Sequence, residues 1–238
     1  MSNSVDPFLL LKRRADELIL KYLEPTIFAE RKAVEEKQPL PPVDFDNFAA
    51  FRLLTHAELE GYFETKAQLA LDELDQLVKL GKPITAKFAT LIFLYLWKQR
   101  HIPAWTDRAG TDSASRKAEE RDFKNLAQMA SGYGRQFIKD NNGIKENSIY
   151  VLSGLMGYFS DELDEILLVE LNQYGKKRGD VAHESWTKNN RVFDGAEIEK
   201  SRLLLILDLT EKFYEKKLTR LPRVETNRFR ETLARWFH

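Results

Sequence analysis

The sequence predicts an all-α protein, a helical bundle of about seven or eight helices. Glycine and proline, the residues that most often interrupt regular structure, number only 11 and 8 among 238 residues, below their usual shares of about 7% and 5%. Apolar residues recur with the helical period of about 3.6 residues, and no segment alternates apolar and polar residues as a half-buried strand does. Few interruptions and a single period together indicate a succession of long helices.

Residues 1–43 are expected to form an N-terminal helical arm with a Pro-rich connector. Asp6-Pro7 is typical of a helix N-cap followed by the first helical residue, and Pro25 is expected to end this first helix. A second short helix is expected over residues 26–37. The PLPP sequence at residues 39–42 then favours an extended connector.

The main helical domain is expected over residues 44–218. Asp44 or Asp46 is expected to cap a long first helix that Gly81 ends. The segment 83–97 is apolar on nearly all sides, which predicts a buried central helix.

Four further helices complete this domain, and residues 103–115 form the clearest loop. The four helices are expected from 115 to about 138, from 147 or 148 to 156, from 161 to 174, and from 194 or 195 to about 218. Gly157 and Gly175 are expected to end the second and the third of them. A basic tail follows at residues 219–238; it either binds RNA or, as we prefer, docks as a final helix through its aromatic residues.

The composition excludes several kinds of chemistry. The absence of cysteine rules out disulfides, thiolate zinc sites, iron–sulfur clusters and a cysteine nucleophile. With four histidines a His-rich metal site is hard to build, and the sequence has no glycine-rich phosphate-binding motif. We therefore expect neither a metal nor a cofactor.

Charge is unevenly distributed along the chain. Lys plus Arg and Asp plus Glu both number 37, so the whole chain has no net attraction to nucleic acid. Residues 161–170 nevertheless hold five acids and no base, three bases follow directly at 176–178, and the segment 212–238 holds 8 bases against 3 acids. Binding of nucleic acid would therefore depend on a local basic patch.

Neither a membrane span nor a targeting signal is expected. The longest apolar segment falls far short of the ~20 residues that cross a bilayer. Asp6 precedes the short apolar run near the N-terminus, where a signal peptide would carry basic residues. We therefore expect a cytoplasmic protein that does not bind membranes.

Arg178 and His183 stand five positions apart in the segment KKRGDVAHES. On a regular helix they would lie about 140° apart around the axis, so they are expected to converge through a helix start or bend at Gly179. An arginine can hold a phosphate, and a histidine can transfer a proton near neutral pH. This pair suits metal-independent RNA cleavage with the 2′-hydroxyl as nucleophile, although the spacing alone favours a helix N-terminus capped by Asp180 beside a structural histidine.

Two longer stretches surround this pattern. They are GIKENSIYVLSGLMGYF with DELDEILLVELNQYGKKRGDVAHES, from about residue 143 to 185, and LTHAELEGYFE at residues 54–64. Together they resemble the HEPN superfamily, specifically its RiboL-PSP-HEPN-like branch, over a core of about residues 45–215. The resemblance implies a helical bundle that dimerises through its R-x4-H helices and forms one composite ribonuclease site.

The resemblance also implies roles for individual residues. Arg178 would contact phosphate, His183 would be the catalytic histidine, and Asp180 would assist them. Lys176 and Lys177 are expected to bind RNA. We expect a homodimeric endoribonuclease acting on RNA, as a toxin with a cognate antitoxin or as an anti-phage defence effector.

The motif departs from the family pattern at two positions. Gly179 stands where members often have asparagine, and Glu184 where they usually have glycine. Some HEPN members bind RNA or protein partners without cleavage. A non-catalytic HEPN module is therefore the alternative, and a helical scaffold with a structural Arg178/His183 pair is a third interpretation.

Arg52, His56 and Glu60 are spaced four residues apart and so share one face of a helix. In the functional interpretation Glu60 orients His183 or Arg178, and His56 assists. In the structural interpretation the three form a solvated ladder with an ordinary ion pair. The ladder is favoured for Arg52 and His56, while Glu60 stays open between the two.

Overall fold

The computed structural model describes residues 6–99, 113–159, 162–183 and 195–216 of the chain; within these ranges it does not describe the side chains of 86, 97–99, 113–122 and 178–183. The α-helices are α1 (Pro7–Leu18), α2 (Glu24–Glu35), α3 (Phe45–Lys79), α4 (Ala89–Gln99), α5 (Ser113–Asp140), α6 (Glu146–Leu155), α7 (Glu165–His183) and α8 (Ala196–Thr210). π-Helical turns at Ile19–Leu23 and Glu211–Lys216 and a 3-10 turn at Ala86–Phe88 accompany them. No strand occurs among the described residues, which confirms the all-α prediction.

The chain divides into two compact units. Among the described residues, unit 1 contains 6–63, 142–149, 163–183 and 195–216, and unit 2 contains 64–99, 113–141, 150–159 and 162. α3 begins in unit 1 and ends in unit 2. The helices predicted as an arm, α1 and α2, belong to unit 1. The predicted domain boundaries at residues 43 and 218 stay predictions.

The N-terminal helices begin as predicted, but Pro25 has a different role. The Asp6 carboxylate accepts a hydrogen bond from the Phe8 N–H at 2.9 Å and so caps α1. Pro25 does not end the helical path, because the π-helical turn leads directly into α2 and places Pro25 in its first turn. Proline is common in the first turn of an α-helix, because its fixed φ suits the helical conformation.

The long helix α3 confirms both of its predicted ends. The Asp44 carboxylate accepts a hydrogen bond from the Asn47 N–H at 3.0 Å. At the other end Gly81 adopts a φ of 64°. The Gly81 N–H donates to the Val78 carbonyl at 3.1 Å, and the Lys82 N–H donates to the Leu77 carbonyl at 2.9 Å. These bonds form a Schellman motif, which satisfies the last carbonyls of the helix.

In unit 2 the predicted central helix is shorter and less enclosed than expected. α4 starts at Ala89 after a 3-10 turn and buries Leu91, Ile92 and Tyr95. Phe93 is 45% exposed, so burial on nearly all sides is wrong. The next helix, α5, begins two residues earlier than predicted. Gly157 follows α6 with a positive φ, which agrees with the prediction that it ends this helix.

The helix α7 differs most from its prediction. It begins at Glu165, where the Asp164 carboxylate accepts a hydrogen bond from the Leu167 N–H at 2.9 Å, rather than at residue 161. It then runs through Gly175, the predicted stop, as far as His183. The glycine is explained by close packing, because a Cβ at Gly175 would lie 3.2 Å from the Lys145 Cγ.

The last helix is confirmed within the described residues. Gly195, one of the two predicted starts, is the N-cap of α8, and Leu203, Ile206 and Leu207 are buried. The π-helical turn then continues to Lys216. The structure does not describe the predicted basic tail at 219–238 or most of the predicted loop at 103–115. No helix among those described has the length and apolarity needed to cross a membrane.

Candidate functional site

The R-x4-H motif lies in the last turns of α7. The backbone of Arg178 and that of His183 belong to one helix, which is continuous through Gly179. No new helix therefore starts at Gly179, and the two positions are about 140° apart around the axis of a regular helix. The side chains of Arg178, Asp180 and His183 lie outside the described part, so their roles stay predictions.

One turn before the motif, α7 is fixed to α3 by a buried pair of hydroxyls. The Tyr174 hydroxyl is hydrogen-bonded to the Thr55 hydroxyl. The Thr55 hydroxyl itself donates to the Phe51 carbonyl at 2.7 Å, so Tyr174 is the donor to Thr55. Burial raises the pKa of the Tyr174 phenol well above its usual value. The phenol is therefore a neutral hydrogen-bond donor that holds the two helices in register.

Buried charges connect α3, α7 and α8 beside this hydroxyl pair. Glu199 is fully buried; its carboxylate accepts a hydrogen bond from the Arg52 Nε at 3.1 Å and a second from Arg52 Nη2. Arg202 Nη1 lies 3.6 Å from the Glu199 carboxylate, and Arg202 Nε lies 3.9 Å from the Glu170 carboxylate. Two arginines and two glutamates thus balance one another, as burial of charge requires.

The solvated ladder on α3 is wrong for Arg52 and His56. Arg52 is 6% exposed and pairs across the unit with Glu199, while His56 is only 2% exposed. The His56 Nδ1 lies 3.8 Å from the Glu60 carboxylate. A Cβ at Gly143 would lie 3.9 Å from the His56 ring. Burial favours a structural role for His56, and the predicted assistance of His56 and Glu60 to the motif stays a prediction.

Basic side chains accompany the motif from two parts of the sequence. Lys176 is exposed and Lys177 is half-buried on α7. The turn before α6 brings exposed Lys145 against Gly175, the residue that precedes Lys176. Sequence reasoning missed Lys145, which lies 30 residues upstream of Gly175. The signal that could have indicated it is a glycine inside an otherwise regular helical pattern, which marks a close approach.

A shallow groove of about 370 Å³ lies elsewhere in unit 1. Its lining side chains are Leu10, Arg13, Arg14, Glu17 and Glu58. Hydrogen bonds from the arginines lower the pKa of Glu17, and Arg14 also donates to Glu58 at 3.0 Å. Arginines and glutamates thus neutralise each other in this groove. Over the described residues, no three His, Asp or Glu side chains come together in a way that could hold a metal ion.

Comparison of the chain with protein-family models, curated proteins and solved structures finds no match.

Proposed function

We propose that the protein is a metal-independent endoribonuclease of the HEPN type, acting in the cytoplasm as a homodimer. The observation that carries the proposal is the position of the motif at the C-terminal end of α7. The preceding turns are anchored through Tyr174 and Glu170 to α3 and α8. A rigid support of this kind suits residues that must hold a phosphate and transfer a proton in a fixed geometry.

The proposed reaction uses the RNA's own 2′-hydroxyl. His183 takes the proton of this hydroxyl as the 2′-oxygen attacks the adjacent phosphorus. The bond from phosphorus to the 5′-oxygen breaks, and a proton delivered to that oxygen gives a 5′-hydroxyl and a 2′,3′-cyclic phosphate. Arg178 stabilises the negative charge that builds up on the phosphate. No external oxidant, reductant or nucleophile is needed.

Exposed apolar side chains support the dimer. Ile166 and Val169 on α7 and Ile198 and Leu205 on α8 are each between 41% and 61% exposed. These helices pack against each other. Because positions 178 and 183 are about 140° apart on one helix, a site made from the motifs of two chains explains how an arginine and a histidine could meet. A two-fold interface would bury the same patch on both copies.

A cleavage assay in EDTA tests the proposal. Wild-type protein should cut single-stranded RNA to products with cyclic phosphate ends. His183→Ala should lower the rate by about 10²–10⁴-fold, the usual range for losing an acid–base group. Arg178→Ala should lower it by about 10²–10³-fold, the range for losing one donor that stabilises the transition-state charge. Lys37→Ala, at an exposed position on α2's C-terminal turn, is the matched control and should cut normally. Absence of cleavage by the wild type over many RNAs would contradict the proposal.

A non-catalytic HEPN module is the second candidate. It is favoured by Gly179 and Glu184, which replace the asparagine and glycine usual in the family. Such a protein would bind RNA or a protein partner but leave RNA intact.

A toxin or defence role of the proposed ribonuclease can be tested in cells. Expression of the wild type should arrest growth, and expression of His183→Ala should not.

A further inference from the structure

Basic side chains in unit 1 are generally paired with acids. Ten of those described form ion pairs: Lys12, Arg13, Arg14, Arg31, Lys32, Arg52, Lys200, Arg202, Lys212 and Lys216. Lys21 lies over the Tyr22 ring at 4.9 Å. Lys37, Lys145 and Lys176 differ from them, because all three are exposed and none has an acidic partner among the side chains that the structure describes.

The fold brings Lys145 and Lys176 to the same point on α7. The Lys145 stem crosses the helix at Gly175, where a Cβ would lie 3.2 Å from the Lys145 Cγ and 3.6 Å from its backbone nitrogen. Lys176 is the next residue, with its Cα about 3.8 Å from that of Gly175. A side chain at position 175 would push the Lys145 stem away. Lys145 and Lys176 therefore extend from neighbouring points beside the last turns of α7, directly before the R-x4-H motif.

We infer that Lys145 and Lys176 form a binding site for the phosphate backbone of single-stranded RNA. The inference rests on the proposed function, since it supplies the path by which RNA reaches Arg178 and His183. Two exposed lysines that extend from neighbouring points of the fold present positive charge to a polyanion. A lysine is a compact charge on a flexible stem, so this contact would hold phosphates without reading the bases.

RNA binding by anisotropy tests the inference in the His183→Ala background, where the probe stays intact. The probe is a short fluorescein-labelled single-stranded RNA of mixed sequence, titrated over a series of salt concentrations. Lys145→Glu should weaken binding several-fold, and the slope of log affinity against log salt should fall by about 0.7 for the lost phosphate contact. Lys145→Arg should retain binding, because it keeps the charge. Lys37→Glu, at another exposed lysine of unit 1 without an acidic partner among the described side chains, should bind as the parent does.

The outcomes separate this inference from the proposed function. If Lys145→Glu binds as tightly as the parent, or if the parent shows no RNA binding, the phosphate site is wrong, whatever the cleavage assay gives. If Lys145→Glu and Lys37→Glu weaken binding equally, the effect is one of net charge and the site is again wrong. If Lys145→Glu alone weakens binding while the wild type never cuts RNA, the site stands and the ribonuclease proposal fails.

Discussion

Arg52 and Glu199 illustrate how single buried charges are held in this protein. Both side chains are almost inaccessible to water, and each is the other's hydrogen-bonding partner. The desolvation of two charges offsets most of their attraction, so the pair adds little net stability, yet either residue alone would be a buried unpaired charge. The main consequence is that neither residue can be replaced alone without a large loss of stability.

Removal of one partner should cost far more than removal of both. Arg52→Met or Glu199→Leu alone should lower the free energy of unfolding by about 3–5 kcal/mol. The double variant should recover most of that loss, because Arg202 and Glu170 still balance each other. Urea denaturation of the three variants measures the coupling. Arg13→Ala, which removes an exposed pair with Glu17, is the control and should cost at most about 1 kcal/mol; equal losses in single and double variants would contradict the expectation.

The pairing of Arg52 also shows why a local pattern misled the prediction. The spacing of Arg52, His56 and Glu60 correctly placed them on one helix face, but spacing cannot show whether that face is solvated. The partner of Arg52 is 147 residues away in sequence. Residue spacing identifies the i,i+4 neighbours on a helix, but it cannot identify the tertiary partner that makes burial possible.

At the scale of helices, local signals predicted the ends that local chemistry determines. The carboxylate caps of α1 and α3, and the left-handed Gly81 after α3, depend on side chains and dihedral angles within a few residues. The sequence predicts a helix end at Gly175 as it does at Gly81, but glycine is present at position 175 for a different structural reason. It lies inside α7 because Lys145 crosses there, and this contact depends on chain segments far apart in sequence.

Substitution of Gly175 should therefore give an unusual result for a helix. An interior Gly→Ala change normally stabilises a helix by about 1 kcal/mol. Gly175→Ala should stabilise the protein clearly less than this, because its Cβ would crowd the Lys145 Cγ at 3.2 Å. In the Lys145→Ala background the full gain should return. Gly132→Ala, in α5 with no atom near its Cβ position, is the control that gains in either background.

Thermal unfolding of these variants measures the coupling between positions 175 and 145. If Gly175→Ala stabilises the protein equally with and without the Lys145 side chain, the lysine stem moves aside without cost. The close approach would then no longer explain why α7 carries a glycine at this position.

At the scale of the whole molecule, the proposed site depends on a second copy of the chain. A charged residue among the exposed apolar side chains of α7 should prevent the proposed association, because burying an unpaired charge at an interface is costly. Val169→Asp should therefore sediment as a monomer at concentrations where we expect the wild type to sediment as the proposed dimer. It should also lose cleavage although Arg178 and His183 are intact. Val34→Asp, at a 68% exposed position on α2, is the matched control and should stay dimeric and active. If Val169→Asp is monomeric yet fully active, the whole site lies within one chain. If it is still dimeric, the interface lies elsewhere.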